Sequence, residues 1–302
     1  DTVAMQEDCT TRGDTVTIPL GLKPGANRRR AGEDVRAQSV IVPALQCLRA
    51  ADIAAIASAG IASVTVRQRL RIGLVSTGDE IVQPGAQTQA HQVYDANRPM
   101  LRALLDRPYA QIIDLGHCDD DPAALRTTLS EAAKDCDLIV TSGGASRGQE
   151  DHLFDALAQL GHAHVWQIAI KPGRPMLFGQ FDNTVLMALP GNPVAAMVCC
   201  LLYGRAIVAH LCGAQWAEPL GYSLPSAFSI EKKKTDRREF LRSWRVVDPE
   251  TGVVSVQKFS RDGSGLISGL QAAEGLTVLP ETVASVEKGE AVRFIPFSDM
   301  EL

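Results

Sequence analysis

Paired cysteine spacing is missing from this chain: seven cysteines occur in 302 residues without one CxxC. That argues against a zinc module or a disulfide frame, and Cys199-Cys200, inside an apolar helical run, read better as buried free thiols of a reducing compartment. An excess of positive charge is also missing, with 30 Lys and Arg against 35 Asp and Glu and a formal net charge of -5. A general nucleic-acid binder is thereby excluded, so an anionic ligand has to be met by local clusters of cations. No apolar run of spanning length and no signal peptide are read, and the expectation is a cytoplasmic protein that meets no membrane. His152, His162 and His164 lack metal-like spacing with acidic partners and read as surface or packing residues. A starting Met is absent as well; with Asp1 leading directly into a strand-like segment, the chain is expected to be a fragment or a processed product. The remainder is ordinary for a globular protein, 45% hydrophobic and 22% charged, and the length predicts two or three domains.

The chain is organised around Asp137–Asp151, DLIVTSGGASRGQED. Leu138–Val140 is short and β-branched, as a buried strand should be, and it breaks into Ser142-Gly143-Gly144 ahead of a helix predicted from about residue 152 to 160. Strand, glycine turn and helix start together make the local build of an anion site: glycine lets the backbone approach a ligand, and the unpaired N–H groups of the helix start face it. The same tripeptide alone is also ordinary tight-turn chemistry.

Residues 1–68 carry short strand-like pieces at 2–5, 15–19, 39–42 and 63–67, a basic loop Asn27-Arg28-Arg29-Arg30, and an alanine-rich helix at 50–59 closed by Gly60. Large apolar residues are too few there for an independent core. From Leu70 strands and helices alternate, with strands predicted at 71–76, 111–115, 138–140, 165–170 and 185–189, and helices at 99–105, 122–134, 152–160 and 193–211. Asn97 and Asn192 read as helix caps, Pro122 and Pro193 as first-turn prolines. Repeated β-α units of this kind predict an α/β fold with a parallel sheet covered by helices on both faces. Beyond about Gln215, alternating segments at 223–230, 239–247, 253–257, 275–279 and 291–295 predict a small barrel-like β domain. The expected domains are 1–68, 69–214 and 215–302.

In an open α/β sheet ligands bind beyond the carboxyl ends of the strands, and every polar cluster of residues 70–195 follows a strand: Thr77–Glu80, Asp119–Asp121, Ser142–Asp151, Lys171–Arg174 and Gly191–Pro193. They supply three carboxylates (Glu80, Asp120, Asp151), two cations (Lys171, Arg174) and two glycine turns. Carboxylates suit Mg²⁺, and cations beside helix N-termini suit phosphate or another oxyanion. Plainer readings stand beside these. Asp121 before Pro122 reads as a cap rather than a ligand, Asp151 as either, and Lys171 and Arg174 as either ligands or solvated charges. Lys232-Lys233-Lys234 reads as a solvated strand edge.

The motifs STGDE, YDANRPML, DDDPAALR, TSGGASRGQED, AIKPGRP and LPGNPV, with VAMQED and NRRRAGED upstream, resemble in type and order those of the MoeA-type molybdopterin molybdenumtransferases, whose animal relative is the gephyrin E domain. The resemblance covers nearly the whole chain. It implies insertion of molybdate into the dithiolene of adenylated molybdopterin with release of AMP, dependence on Mg²⁺, and a homodimer, with the adenylyltransferase and molybdoenzyme maturation factors as further partners. By motif position it implies roles for Glu80, Asp120 and Asp151 as metal-binding and catalytic carboxylates and for Lys171 and Arg174 as catalytic cations. It likewise implies ligand contacts at Thr77, Gly78, Ser142, Gly143, Gly144, Ser146, Gly148, Pro190, Gly191, Asn192 and Pro193, at Asp34 in the basic loop, and at Arg242 and Ser264 in the last domain. Arg174 stands where relatives often carry lysine, and a planar fork holds an oxyanion differently from a point charge. The helical region and acidic DNSAMDGYA-type motif with which the family begins are not found, so the chain is expected to be truncated ahead of Asp1. A non-catalytic gephyrin-like scaffold and a molybdopterin adenylyltransferase remain the alternatives.

Overall fold

Two three-residue strands, β1 (Thr10–Arg12) and β2 (Thr15–Thr17), pair antiparallel across Gly13. They belong to the first of two compact units, Asp1–Thr65 and Val66–Leu302, in a computed structural model that describes residues 1–145 and 152–300. Helix α1 (Ala50–Ser58) opens where Asp52 Oδ2 accepts hydrogen bonds from the Arg49 backbone N (2.8 Å) and Nε (3.0 Å). Asp52 is the only buried side chain in this unit. The strands expected at 2–5, 39–42 and 63–67 are not formed, and the one expected at 15–19 is shortened to β2. Without an apolar face to bury, alternation does not recruit a ladder partner.

The second unit begins with β3 (Leu70–Thr77), followed by a short parallel pair, β4 (Ile81–Val82) and β5 (Val93–Tyr94). Then come α2 (Asn97–Leu105), β6 (Ala110–Cys118), α3 (Pro122–Ala132), β7 (Leu138–Ser142), α4 (His152–Leu160), β8 (His162–Gln167), β9 (Ile170–Lys171), β10 (Pro175–Phe181) and β11 (Thr184–Leu189). The chain continues into α5 (Pro193–Cys199) and α6 (Arg205–Leu211), joined through one π-helical turn at Cys200–Gly204. The sheet order is β6-β3-β7-β11-β10-β8. The first four strands are parallel, but β10 runs antiparallel to both of its neighbours, β11 and β8, so the expected parallel sheet is a mixed one. The reason is local: β10 and β11 form a hairpin across Asp182, whose φ of 50° suits a tight turn. A hairpin reverses direction where a crossover helix would not.

Buried strands alternate between two cores. Ile72, Leu74, Leu138, Val140, Met187 and Leu189 pack with α2, α5 and α6 on one face. Val75, Ile139, Leu186 and Ala188 pack with Leu125, Leu129, Leu153 and Leu157 of α3 and α4 on the other. Among the described residues Pro193–Leu211 is the one helix long and apolar enough to cross a membrane, which corrects the expectation that no run reaches that length. Its Val194, Ala196, Val198, Cys199, Cys200 and Val208 are each no more than 3% exposed, so its apolarity is that of a core helix.

The remaining strands, β12 (Tyr222–Pro225), β13 (Arg238–Val247), β14 (Val254–Lys258), β15 (Gly275–Leu279) and β16 (Ala291–Pro296), with α7 (Ile267–Ala272) and α8 (Phe297–Met300), form a second sheet in the order β12-β16-β15-β13-β14. A bridge from Ser226 to Val256 brings the chain just past β12 onto β14 and curls the sheet toward a barrel around Phe228, Val256, Leu279 and Phe294. This sheet is continuous with the α/β part of the same unit: β9 pairs with β13, and Phe240, Leu276, Val278 and Ile295 join the core of α5 and β11. Lys233 is not part of a solvated edge. It is 7% exposed, and its ammonium donates to the carbonyls of Lys234 (3.0 Å), Arg237 (3.0 Å) and Pro280 (3.1 Å).

Candidate functional site

Three groups of side chains collect beyond the carboxyl ends of β3, β6, β7 and β11. The first is acidic. Gly78 turns at φ 126°, and a Cβ there would lie 2.5 Å from Glu80 Oε2, so glycine lets Glu80 fold back over the turn. Asp79 Oδ1 accepts from the Asp120 backbone N at 2.9 Å, and His117 Nε2 lies 2.8 Å from the Gly78 carbonyl. Burial, and then the charges of Asp79 and Glu80, push the Asp120 carboxyl above the usual carboxylate range, with His152 acting in the opposite sense. Asp121 is the cap its position suggested, accepting from Ala123 N (3.1 Å) and Ala124 N (2.7 Å). Among the described residues no group of three or more His, Cys, Asp or Glu side chains is arranged to hold a metal. The expected set of Glu80, Asp120 and Asp151 is therefore not assembled within them, Asp151 lying outside. What is present, two carboxylates in a locally excessive negative field, has the donor chemistry of a hard divalent cation.

The second group is a glycine ledge. A Cβ on Gly143 would sit 2.5 Å from the Thr77 carbonyl, and one on Gly144 3.2 Å from Thr77 Oγ1, with both glycines at positive φ. The turn after β7 thus lies directly on the end of β3. The turn after β11 lies beside it: a Cβ on Gly191 would come 3.9 Å from Gly143 Cα, and the Gly143 amide donates to the Leu189 carbonyl at 3.1 Å. Asn97 is not a cap but the first residue of α2. Its Nδ2 donates to Ser142 Oγ (2.8 Å) and to the Gly191 carbonyl (2.7 Å). Among the described residues Thr77 Oγ1 and Asn97 Oδ1 are buried without a hydrogen-bond partner. Ser146 and Gly148, expected here, lie outside the described residues.

The third group lines a cavity of about 380 Å³ between the Lys171–Pro175 loop, the start of α5 and the second sheet. Lys171, Arg174, Arg237, Arg242, Lys258 and Arg261 surround it against Glu239 and Asp262, and Pro190, Asn192 and Ser264 complete the wall. A neighbouring hollow of about 490 Å³ shares Lys171, Arg237 and Lys258 and adds Lys232, Lys233 and Lys234. The cations are not equivalent. Lys171 Nζ lies 3.3 Å from both oxygens of Glu239, whereas Arg174 donates to the neutral Gln167 Oε1 at 3.1 Å. Arg242 is 7% exposed and donates to the carbonyls of Leu266 (2.9 Å) and Arg261 (3.0 Å), 4.8 Å above the Phe259 ring. It shapes the 259–266 loop as well as facing the cavity. Asn192 occupies the cap position of α5 without a side-chain cap bond; its carbonyl bonds Ala196 N, while Val194 N is satisfied by the Ser264 carbonyl at 2.9 Å. That leaves the Asn192 side chain to the cavity wall.

Thr77, Gly78, Ser142, Gly143, Gly144 and Gly191 are thus brought together, as are Lys171, Arg174, Pro190, Asn192, Arg242 and Ser264, while Pro193 starts α5. Asp34 is exposed in the first unit. Sequence reasoning assigned no site role to Asn97 or Glu239. A carboxylate beside the apolar pair Phe240-Leu241 at the start of β13 was the available signal for Glu239; for Asn97 no local signal distinguishes a cap from a strut.

Residues 73–210 match the family described as probable molybdopterin binding domain, residues 224–297 the MoeA C-terminal region (domain IV), and residues 1–60 the MoeA N-terminal region (domain I and II). The molybdopterin molybdenumtransferase of Haemophilus influenzae is 36% identical over 302 residues, covering 99% of this chain and 74% of the relative. That of a Nostoc species is 31% identical over 307 residues, covering 98% and 69%. The crystal structure of the molybdopterin biosynthesis MoeA protein of Pyrococcus horikoshii superposes with a TM-score of 0.75 at 25% identity, covering 98% of this chain and 71% of that one.

Proposed function

Because the chain belongs to the molybdopterin molybdenumtransferase family, we propose that it inserts molybdate into the dithiolene of adenylated molybdopterin and releases AMP. The observation that carries this reading is the adjacency of unlike surfaces on one region of the fold: a glycine ledge meets an acidic edge at the end of β3, Thr77-Gly78, and a cationic cavity at the Pro190-Gly191-Asn192 turn. Backbone N–H groups and close glycines suit the phosphate-bearing pterin nucleotide. Arg174, whose recorded side-chain partner is an uncharged amide, suits the oxyanion with a two-pronged donor. Lys171 supports it from beside Glu239, and Ser264 offers a hydroxyl from the opposite wall.

Mg²⁺ would be held by Glu80 and Asp120, with Asp151 the expected third ligand; when bound it supplies positive charge to the departing phosphate. The residues' own part is to hold the two substrates within reach of one another, which converts an encounter into a near-unimolecular step. A homodimer and a cytoplasmic setting complete the proposal.

The test supplies adenylated molybdopterin, molybdate and Mg²⁺ to the chain and measures AMP together with activation of an apo-molybdoenzyme. AMP and cofactor appearing together, dependent on molybdate, is the expected result. Ligand binding without AMP would favour the scaffold reading, and ATP-dependent formation of the adenylated pterin would favour the adenylyltransferase.

A further inference from the structure

We propose that Asn97 is a positioning residue, clamping the turn after β7 to the turn after β11 and so holding the glycine ledge in the shape that receives the pterin nucleotide. This rests on the reading of that ledge as the nucleotide site.

The need for a clamp follows from the strand ends. The parallel ladder between β7 and β11 finishes at Ser142 opposite Leu189, and the Gly143 amide to the Leu189 carbonyl is the backbone bond beyond it. The two turns then face each other through Gly143 and Gly191, which have no side chains with which to hold one another. Glycine turns that must approach a ligand closely are also the turns with the most conformational freedom to lose. Asn97 supplies the missing tie from a third element. One amide nitrogen gives its two protons to the two turns, at 2.8 Å to Ser142 Oγ and 2.7 Å to the Gly191 carbonyl, in a site where the residue is 7% exposed.

The clamp is itself anchored. Asp95, two residues earlier, accepts from Ser76 Oγ of β3 (2.5 Å), from Arg98 N (3.0 Å) and from Arg98 Nε (3.1 Å). The start of α2 is therefore pinned to the central strand, and Asn97 projects from a rigid base. A second observation points to a ligand. Asn97 Oδ1, on the residue that ties the two turns, and Thr77 Oγ1, beside Gly143 and Gly144, are both buried without a hydrogen-bond partner among the described residues. Buried polar atoms are nearly always paired, so unmet capacity at the ledge is what a bound ligand or its ordered water would complete.

The experiment uses the full chain with Asn97→Ala, Asn97→Asp, Ser142→Ala and the Asn97→Ala/Ser142→Ala pair. Asn97→Asp keeps the shape and removes both donors. Hydrogen exchange at the Gly143, Gly191 and Asn192 amides is expected to quicken about tenfold or more in both Asn97 variants, with the strand amides of β7 and β11 unchanged. The KM for adenylated molybdopterin is expected to rise about tenfold, the scale of one good hydrogen bond to a preformed site, while the molybdate dependence stays put. Ser142→Ala should have a smaller effect that does not add to that of Asn97→Ala. Unchanged exchange in both Asn97 variants would overturn the clamp whether or not a ligand binds. Faster exchange with unchanged KM would overturn the positioning role. Should the parent chain fail to bind adenylated molybdopterin, the functional reading falls and takes the positioning role with it, while the exchange data still tell that failure apart from a failed clamp.

Discussion

The surroundings of Asp120 disfavour its charged form. Burial and the neighbouring charges of Asp79 and Glu80 raise its pKa in the folded chain, so the folded state binds its proton more tightly than the unfolded one does. Stability contributed by this group is therefore highest below the unfolded pKa and falls as pH rises through the folded pKa. Asp120→Asn is expected to raise the unfolding midpoint at about pH 7 in metal-free buffer and to change it little at about pH 3, where the carboxyl is protonated in both states. Addition of Mg²⁺ should raise the midpoint of the parent and not of the variant, read by thermal denaturation at both pH values. An equal response of the two would remove Asp120 from the metal proposal. Arg174 supports a second prediction. Its recorded partner is uncharged whereas Lys171 already faces Glu239, so Arg174 has more to give an oxyanion. A hydrogen bond to a charged group contributes ~1.5–3 kcal/mol, and Arg174→Ala is expected to raise the molybdate concentration needed for cofactor formation by about ten- to a hundredfold. Pterin-nucleotide affinity, measured in the same titration series, should stay as it was.

The stretch between β12 and β13 shows how one side chain can hold an element that has no ladder of its own. Lys233 Nζ satisfies three backbone carbonyls from two separate segments, and this loop forms the rim of the larger cationic hollow. Lys233→Met preserves length and packing but leaves three acceptors without their donor. At 1–3 kcal/mol for each unsatisfied buried group, partly relieved by water, a loss of ~2–3 kcal/mol is expected. Urea denaturation measures it, and a neutral outcome would return the residue to the solvated edge that its sequence context suggests. The β10–β11 hairpin makes a related point. Gly179 in β10 has no room for a Cβ, which would lie 2.3 Å from Leu157 Cδ2. The strand is thus pressed against α4 by a residue whose sequence signature is that of a loop.

At the scale of the whole molecule, residues 69–214 and 215–302 are proposed as two sequence domains that fold as one body. Strand β9 belongs to one by chain position and pairs with β13 of the other. Phe240, Leu270, Leu276, Val278, Ile295 and Met300 pack into the same core as Leu138, Met187 and Val198. The expected outcome is a single cooperative calorimetric transition for Val66–Leu302, and exposed apolar surface with loss of that transition in a chain ending at residue 214. Two resolved transitions would show that the shared core is energetically divisible.

What the amino-acid sequence determined by itself was everything set by local periodicity and local chemistry. Strands β3, β7 and β11 could be read because burial on both faces demands continuous apolar runs. The later strands could be read because alternation survives wherever one sheet face packs on a core, and β13, β15 and β16 lie within a residue of their expected limits. Asp121 could be read as a cap because a cap bond closes over three residues. The ledge glycines, Lys171 and Arg174 were legible because strand exits converge by topology. Only the tertiary structure decided that Asn97 reaches residues 45 and 94 positions away, and that Lys171 meets Glu239 across 68 residues. Those choices are made by register and by which faces compete for burial, and neither is encoded within the span of a helix turn or a strand pair.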